Sequence, residues 1–189
     1  MKTILVEHPK KISKAVPLLE KKIRIRISQN KSNFTIDGSE INEFYVGRII
    51  EAIDFGFEPE DTLLLLKDNY VLEYVGIKEH THRSNLGEVR ARIIGTEGKA
   101  KAAIENLTGA IIVIHENKVG IISDTDHIQQ TIQSIISLVQ GSKHGNVFAY
   151  LEKQNANLRQ LRDGDFGLRD PKKDRLDSDD DLEEDEDEE

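Results

Sequence analysis

Hydrophobic positions along this chain switch period repeatedly, and each switch predicts an element. Residues 3–6 form a short apolar run that predicts a strand. Ile12, Val16 and Leu19 recur at helical spacing and predict a helix over 12–21, with Pro17 implying a kink or a late start. Ile23, Ile25 and Ile27 alternate with Arg24, Arg26 and Ser28, a period-2 strand. A turn at 30–33 leads to a partner strand carrying Phe34 and Ile36. Residues 39–54 then place Ile41, Phe44, Tyr45, Ile49 and Ile53 on one predicted helical face.

The same order returns with an added helix. Residues 70–77 predict a strand, and 84–93 a helix with Ser84 as N-cap. Residues 99–107 predict a second helix. Strands follow at 111–115 and 119–123. A long helix over 125–140 turns Ile128, Ile132, Ile135, Ile136 and Val139 inward and ends at Gly141. This is a diverged internal duplication, with a short helix over 59–67 between the copies. A further helix spans 146–161, with Val147, Leu151, Leu158 and Leu161 as packing positions. The pattern predicts an α+β fold.

The added helix in the second copy is joined through Gly95-Thr96-Glu97-Gly98, between Arg92-Ile93-Ile94 and Lys99. A helix, a GxxG turn, a helix and a β run form the order with which a KH domain clamps four nucleotides of a single strand. Gly95 and Gly98 let the backbone approach phosphates, and the following helix N-terminus presents amides to them. Lys99 and Lys101 add charge in the first turn, and Arg90 and Arg92 stand on the preceding helix. Ile94, Ile104 and Ile112 are expected to line an aliphatic groove for the bases. Glu97 opposes an incoming phosphate and is expected to point away from it. A tight turn between two packed helices is the alternative reading of the two glycines. The first copy has no GxxG; it either contacts backbone weakly through Lys10, Lys11, Lys14, Arg24 and Arg26, or serves as a packing partner.

Charge changes the picture at the C-terminus. Residues 174–189 hold twelve acids and one base, whereas the remaining chain has 25 bases and 23 acids. The negative balance therefore belongs to the tail, which is predicted to be disordered. That tail either solubilises the chain, binds Mg²⁺ or competes with RNA. With no cysteine, disulfides and thiolate metal sites are excluded, which suits a reducing cytoplasm. No apolar run reaches 18 residues and no signal-peptide pattern opens the chain, so neither a spanning helix nor secretion is expected. His8, His80 and His82 are expected to be ordinary surface histidines, and no cofactor, metal site or nucleophile–base set is predicted.

Three stretches carry a family resemblance. They are 53–66 (IDFGFEPEDTLLLL) leading into 70–73, then 90–99 (RARIIGTEGK) with Leu107-Thr108-Gly109, then 143–152 (KHGNVFAYLE). Together they resemble the Dim-two family, partners of the Nob-type endonuclease. The resemblance implies two tandem type I KH domains, each a three-stranded sheet packed by helices. The implied organisation is a degenerate KH domain without GxxG at 1–56, a connecting helix or linker at 57–69 and a KH domain with the GxxG loop at 70–142. A C-terminal helix at 143–162 and a disordered acidic tail at 163–189 complete it. It implies a non-enzymatic assembly factor of the small ribosomal subunit that binds the 3′ end of small-subunit rRNA and positions the maturation endonuclease. The alpha subunit of translation initiation factor two and the pre-ribosomal small subunit are further implied partners. The missing loop in the first copy departs from archaeal relatives. Two alternatives stay open: a protein–protein adaptor that no longer binds RNA, and a generic single-stranded RNA-binding KH protein of RNA decay or translation.

Overall fold

The computed structural model describes residues 1–162; the acidic segment expected to be disordered, 163–189, lies outside the described residues. The fold is mixed α+β, with two three-stranded antiparallel sheets. Both sheets belong to one compact body, Met1–Gln154, and a second segment begins at Asn155.

The first lobe comprises β1 (Lys2–Leu5), α1 (Pro9–Lys22), β2 (Arg26–Asn30), β3 (Asn33–Asp37) and α2 (Glu40–Phe55), with sheet order β1-β3-β2. Helix α1 starts earlier than its apolar pattern predicts. Pro9 occupies its first turn, where a missing N–H costs nothing and the fixed φ suits a helix. The helix runs on through Pro17, which lies on its exposed side. Water there can satisfy the Ser13 carbonyl that Pro17 leaves without a donor. In α2 the predicted face is corrected. Ile41 and Phe44 are 69% and 54% exposed, while Glu43, Val46, Gly47 and Ile50 turn inward with Ile49 and Ile53. The rotation is set at the helix start. Ser39 caps it by accepting from the Asn42 amide, and the Glu43 carboxylate accepts from Gly38 N at 3.2 Å, which draws that face onto the sheet.

A short link follows, α3 (Pro59–Thr62) and a 3₁₀ turn over Leu63–Leu66. The second lobe comprises β4 (Tyr70–Gly76), α4 (Leu86–Ile94), α5 (Lys99–Thr108), β5 (Ile111–His115), β6 (Lys118–Asp124) and α6 (Ile128–Gln140). Its sheet order is β4-β6-β5. In both sheets the third strand in sequence is central, so the lobes share a strand order and differ by one helix. Two predicted helix starts shift. Asn85, not Ser84, caps α4, because its amide group both accepts from Glu88 N and donates to Glu88 Oε1. Helix α6 begins at Ile128 rather than Thr125. The Thr125 amide instead bonds Asn69 O, and Asp124 holds the His127 amide at 2.9 Å.

One face of the second sheet carries Val75, Val119, Ile121 and Ile112 against α4, α5 and α6. The other face meets the first lobe: Leu72 and Ile122 share a core with Ile49, Ile53 and Phe57. Gly120, in the middle of the central strand, makes this possible. A Cβ there would lie 2.7 Å from the Phe55 ring and 2.8 Å from the Phe57 ring. Arg48 of α2 adds a bond to the Leu72 carbonyl at 2.7 Å. Helix α7 (His144–Arg162) buries Val147 and Leu151, whereas Leu161 is exposed.

Candidate nucleic-acid interface

Helix α4 buries Val89 and Ile93 and stops at Gly95, where φ is +75° and ψ is 174°. That conformation is open to glycine and costly for other residues. Space makes the same demand. A Cβ on Gly95 would sit 2.5 Å from Ala100 Cβ and 2.8 Å from Ala100 N, so glycine lets the end of α4 press against the start of α5. Glu97 (φ +53°) and Gly98 (φ +77°) complete a left-handed turn, closed by Gly98 N donating to Gly95 O at 3.2 Å. Nothing lies within 4 Å of a Cβ built on Gly98. The two glycines thus do different work: Gly95 permits a close approach, and Gly98 supplies a left-handed N-cap with open space outside it. No side chain caps α5 and no acid stands in its first turn, so its positive end faces outward.

The predicted residues separate once placed. Lys99 is exposed, and its ammonium lies 2.8 Å from the Glu97 carboxylate; Glu97 therefore partly offsets the charge beside the turn. Lys101 reaches Glu105 at 3.1 Å, and the same Glu105 Oε1 accepts from Ile112 N at 2.8 Å. Thr96 and Ile94 are exposed at the turn, Ile94 at 38%. Ile104 and Ile112 have no exposed surface. Their spacing predicts an open groove; instead they pack with Val89, Ile93 and Ile135 in the core beneath the turn. Apolar side chains on a helix and a strand that face each other across the layer bury first.

Both arginines are engaged within the protein. Arg90 Nη1 donates to the Glu116 carbonyl at 2.8 Å and to Asn117 Oδ1 at 3.3 Å, holding the β5–β6 turn. Arg92 Nη2 donates to the Gly141 carbonyl at 2.9 Å and to the Ser142 carbonyl. His144 Nε2 in turn bonds the Arg92 carbonyl at 2.9 Å. These contacts join residues 26 to 52 positions apart, and no local pattern announces them. Through them Arg90 and Arg92 tie α4 to the β5–β6 turn and to the segment that follows α6.

A cavity of about 360 Å³ lies at the seam between the lobes and is bordered by Glu7, Glu51, Asp54 and Glu116, with Lys118 as the one lysine on its rim. Its acidic rim repels a phosphate chain. Tyr74 also borders it, and burial raises its phenol well above the usual tyrosine range. Among the described residues no group of three or more His, Cys, Asp or Glu side chains is placed to hold a metal ion. His8 lies against Asp54 and stacks edge-on with His115, apart from His80 and His82. No helix of the described residues is long and apolar enough to cross a membrane.

Comparison with known proteins points the same way. Residues 71–156 match the model of the eukaryotic type KH-domain (KH-domain type I). A KH domain-containing protein of Methanocaldococcus jannaschii is 33% identical over 115 residues, 60% of this chain and 51% of that protein. The pre-rRNA-processing protein PNO1 of Saccharomyces cerevisiae is 30% identical over 159 residues, 82% of this chain and 56% of that protein. The chain thus spans about half the length of the curated relatives it matches. A chain in the crystal structure of the a/eIF2alpha–aDim2p–rRNA complex from Pyrococcus horikoshii superposes with a TM-score of 0.73. It is 25% identical, and the match covers 82% of this chain and 94% of that one.

Proposed function

Because the chain belongs to the Dim2/PNO1 family of KH-domain proteins, we propose that it is an RNA-binding assembly factor of the small ribosomal subunit. In this reading the Gly95–Gly98 turn grips a single strand near the 3′ end of small-subunit (pre-)rRNA. The observation that carries it is the turn itself: two glycines at positive φ, one in close approach and one open, before a helix whose N-terminus no side chain caps. That arrangement accepts phosphates through backbone amides. Ile94 and Thr96 stand exposed beside it to meet a base or sugar, and Lys99 and Lys101 lie in the first turn.

The finer parts of the proposal rest on the family. The first lobe is a KH-type unit reduced by one helix and its loop, supported by the shared strand order. The first lobe and α7 position a protein partner, the Nob-type endonuclease on the pre-ribosomal small subunit. The alpha subunit of translation initiation factor two is a partner, as in the Pyrococcus complex, which holds that subunit, Dim2p and rRNA together.

The test is fluorescence anisotropy with a labelled strand of the small-subunit rRNA 3′ end, a scrambled strand and the Gly98→Asp variant. Asp at 98 enters open space and places a negative charge where phosphate is expected. Preferential binding of the 3′-end strand, lost in Gly98→Asp, supports the reading. Equal binding by the folded variant overturns the turn as the reader. No binding to either strand moves the protein to the adaptor class.

A further inference from the structure

Positive charge in this chain is not concentrated at the glycine turn. Residues 8–31 carry eight lysines and arginines against a single acid, Glu20, whereas residues 32–173 carry 16 bases against 21 acids. All eight cations of that segment are exposed. None of them takes part in an ion pair among the described residues. The lone acid is occupied elsewhere: Glu20 Oε1 accepts from the Ile27 amide at 2.9 Å.

The fold gathers five of these cations onto α1. Lys10, Lys14 and Lys21 fall along one side of α1, spaced by four and seven residues, with Lys11 and Lys22 on the adjacent flank. The opposite side of α1 buries Ile12, Ala15 and Leu19. The row from Lys10 to Lys21 extends about 16 Å at the helical rise. Strand β2 returns antiparallel beside α1, as Ser13 to Gln29 and Glu20 to Ile27 contacts show. Arg26 does not join the row: it stands opposite Asp37 in the ladder, on the side of the sheet away from Ile27 and Ile36, which face the α1 core.

Lys21 and Lys22 suit the last turn of α1, but at the helix start this placement is unfavourable. Lys10 and Lys11 stand in the first turn of α1, which contains no acid, and there the helix dipole disfavours cations. Lys10 and Lys14 are a like-charged i, i+4 pair. A row of cations that is disfavoured at the helix start and has no ion-pair partner among the described residues points to an external polyanion. The face also lacks what a protein partner needs. Among the exposed residues of α1 only Pro17 is apolar, whereas protein interfaces are centred on aromatic and aliphatic anchors. Phosphate chains require only spaced cations.

We propose that the lysine-bearing face of α1 in the first lobe is a second RNA site, which binds sugar–phosphate backbone without reading bases. It holds RNA that extends beyond the few nucleotides at the glycine turn. The inference rests on the RNA-binding reading above but uses other residues, so the two fail separately.

The experiment compares the full chain, Lys10→Glu/Lys14→Glu/Lys21→Glu and Gly98→Asp. The probes are a strand of about six nucleotides, enough to cross one KH turn, an unstructured strand of about 24 nucleotides, and a stem-loop of similar length. The lysine variant is expected to bind the short strand within about twofold of the parent. It should lose at least about tenfold on one or both long probes, with a salt slope lower by about 2, near 0.7 for each of three lost single-strand contacts. The long probe that loses more identifies the backbone as single-stranded or helical. Residual binding of a long probe by Gly98→Asp that the added lysine substitutions remove supports the face even if the turn reading fails. Unchanged affinity for both long probes in a variant with parental circular dichroism overturns the proposal. So does unchanged RNA affinity with loss of binding to polyglutamate, which assigns the face to an acidic protein. Should the reversal variant unfold, Lys→Gln at the same three positions carries the test, with the same pattern and a smaller loss.

Discussion

On the RNA-binding reading proposed above, the two lobes solve opposite halves of one recognition problem. Each places its third strand at the centre of a three-stranded sheet, with helices packed on it. The second lobe inserts an extra helix, and with it the glycine turn and an outward helix N-terminus. Its surface charge is nearly balanced, and the lysines at its turn are paired with Glu97 and Glu105. The first lobe has a single helix between β1 and β2 and no glycine turn, but it carries the excess of lysines and arginines, none of which in the 8–31 stretch is ion-paired among the described residues. Shape that positions a few phosphates and charge that attracts many are thus divided between lobes joined in one body. Specific placement and non-specific attraction are separable terms in nucleic-acid binding, and here they are separated in space.

The comparison breaks most severely at Gly95. Gly95→Val forces a β-branched residue into φ +75° and a methyl into the 2.5 Å approach to Ala100. The expected loss is about 3 kcal/mol or more, roughly a 10 °C fall in Tm for a body of this size. Gly98→Ala, in open space at nearly the same φ, should cost only about 1 kcal/mol. Thermal unfolding followed by circular dichroism separates the two. Equal effects would mean that close packing at Gly95 is not what distinguishes the glycines.

Gly120 tests whether the division of labour depends on the seam. Gly120→Val drives its side chain into the Phe55 and Phe57 rings, with an expected cost of about 2 kcal/mol from overpacking. Binding of a short strand at the glycine turn should survive, because the turn lies on the opposite, helix-covered side of the second sheet. Long strands that use both lobes should bind several-fold more weakly. Anisotropy with the two strand lengths reads this directly, and parallel losses on both would argue that the lobes do not act as separate contacts.

Much of this was legible in the sequence because it is local. Alternation in Ile23 to Ile27, helical spacing in α6, the two glycines and the basic stretch each declare themselves within a few residues. What was missed is what distant neighbours decide. Ile41 and Phe44 have the right spacing to be buried, yet α2 is rotated by its cap and by Glu43 so that they face out. Ile104 and Ile112 are well chosen as neighbours of the turn, but facing each other across a helix and a strand they close into core. Arg90 and Arg92 look like free cations in sequence. Their guanidinium groups find carbonyls 26 to 50 residues away, which no periodicity encodes.

The smallest effect lies between the lobes, at Asp61 in α3. Burial is the main cause that raises its carboxyl above the usual 3.8, and the nearby charges of Glu58, Glu60 and Glu105 add to it. A raised folded-state value means the charged form is penalised on folding. The stability this group contributes is present below the unfolded value and is lost as pH rises through the folded one. Asp61→Asn removes that penalty and should stabilise the protein at neutral pH. The gain should stay under about 1 kcal/mol, because the site is only half-buried, solvent screens it, and the carboxylate also favours the start of α3. Below about pH 3.8, where the parent carboxyl is itself neutral, the two proteins should unfold alike. Urea titrations across that range decide it. A gain that persists in acid would show that the effect comes from packing and not from charge.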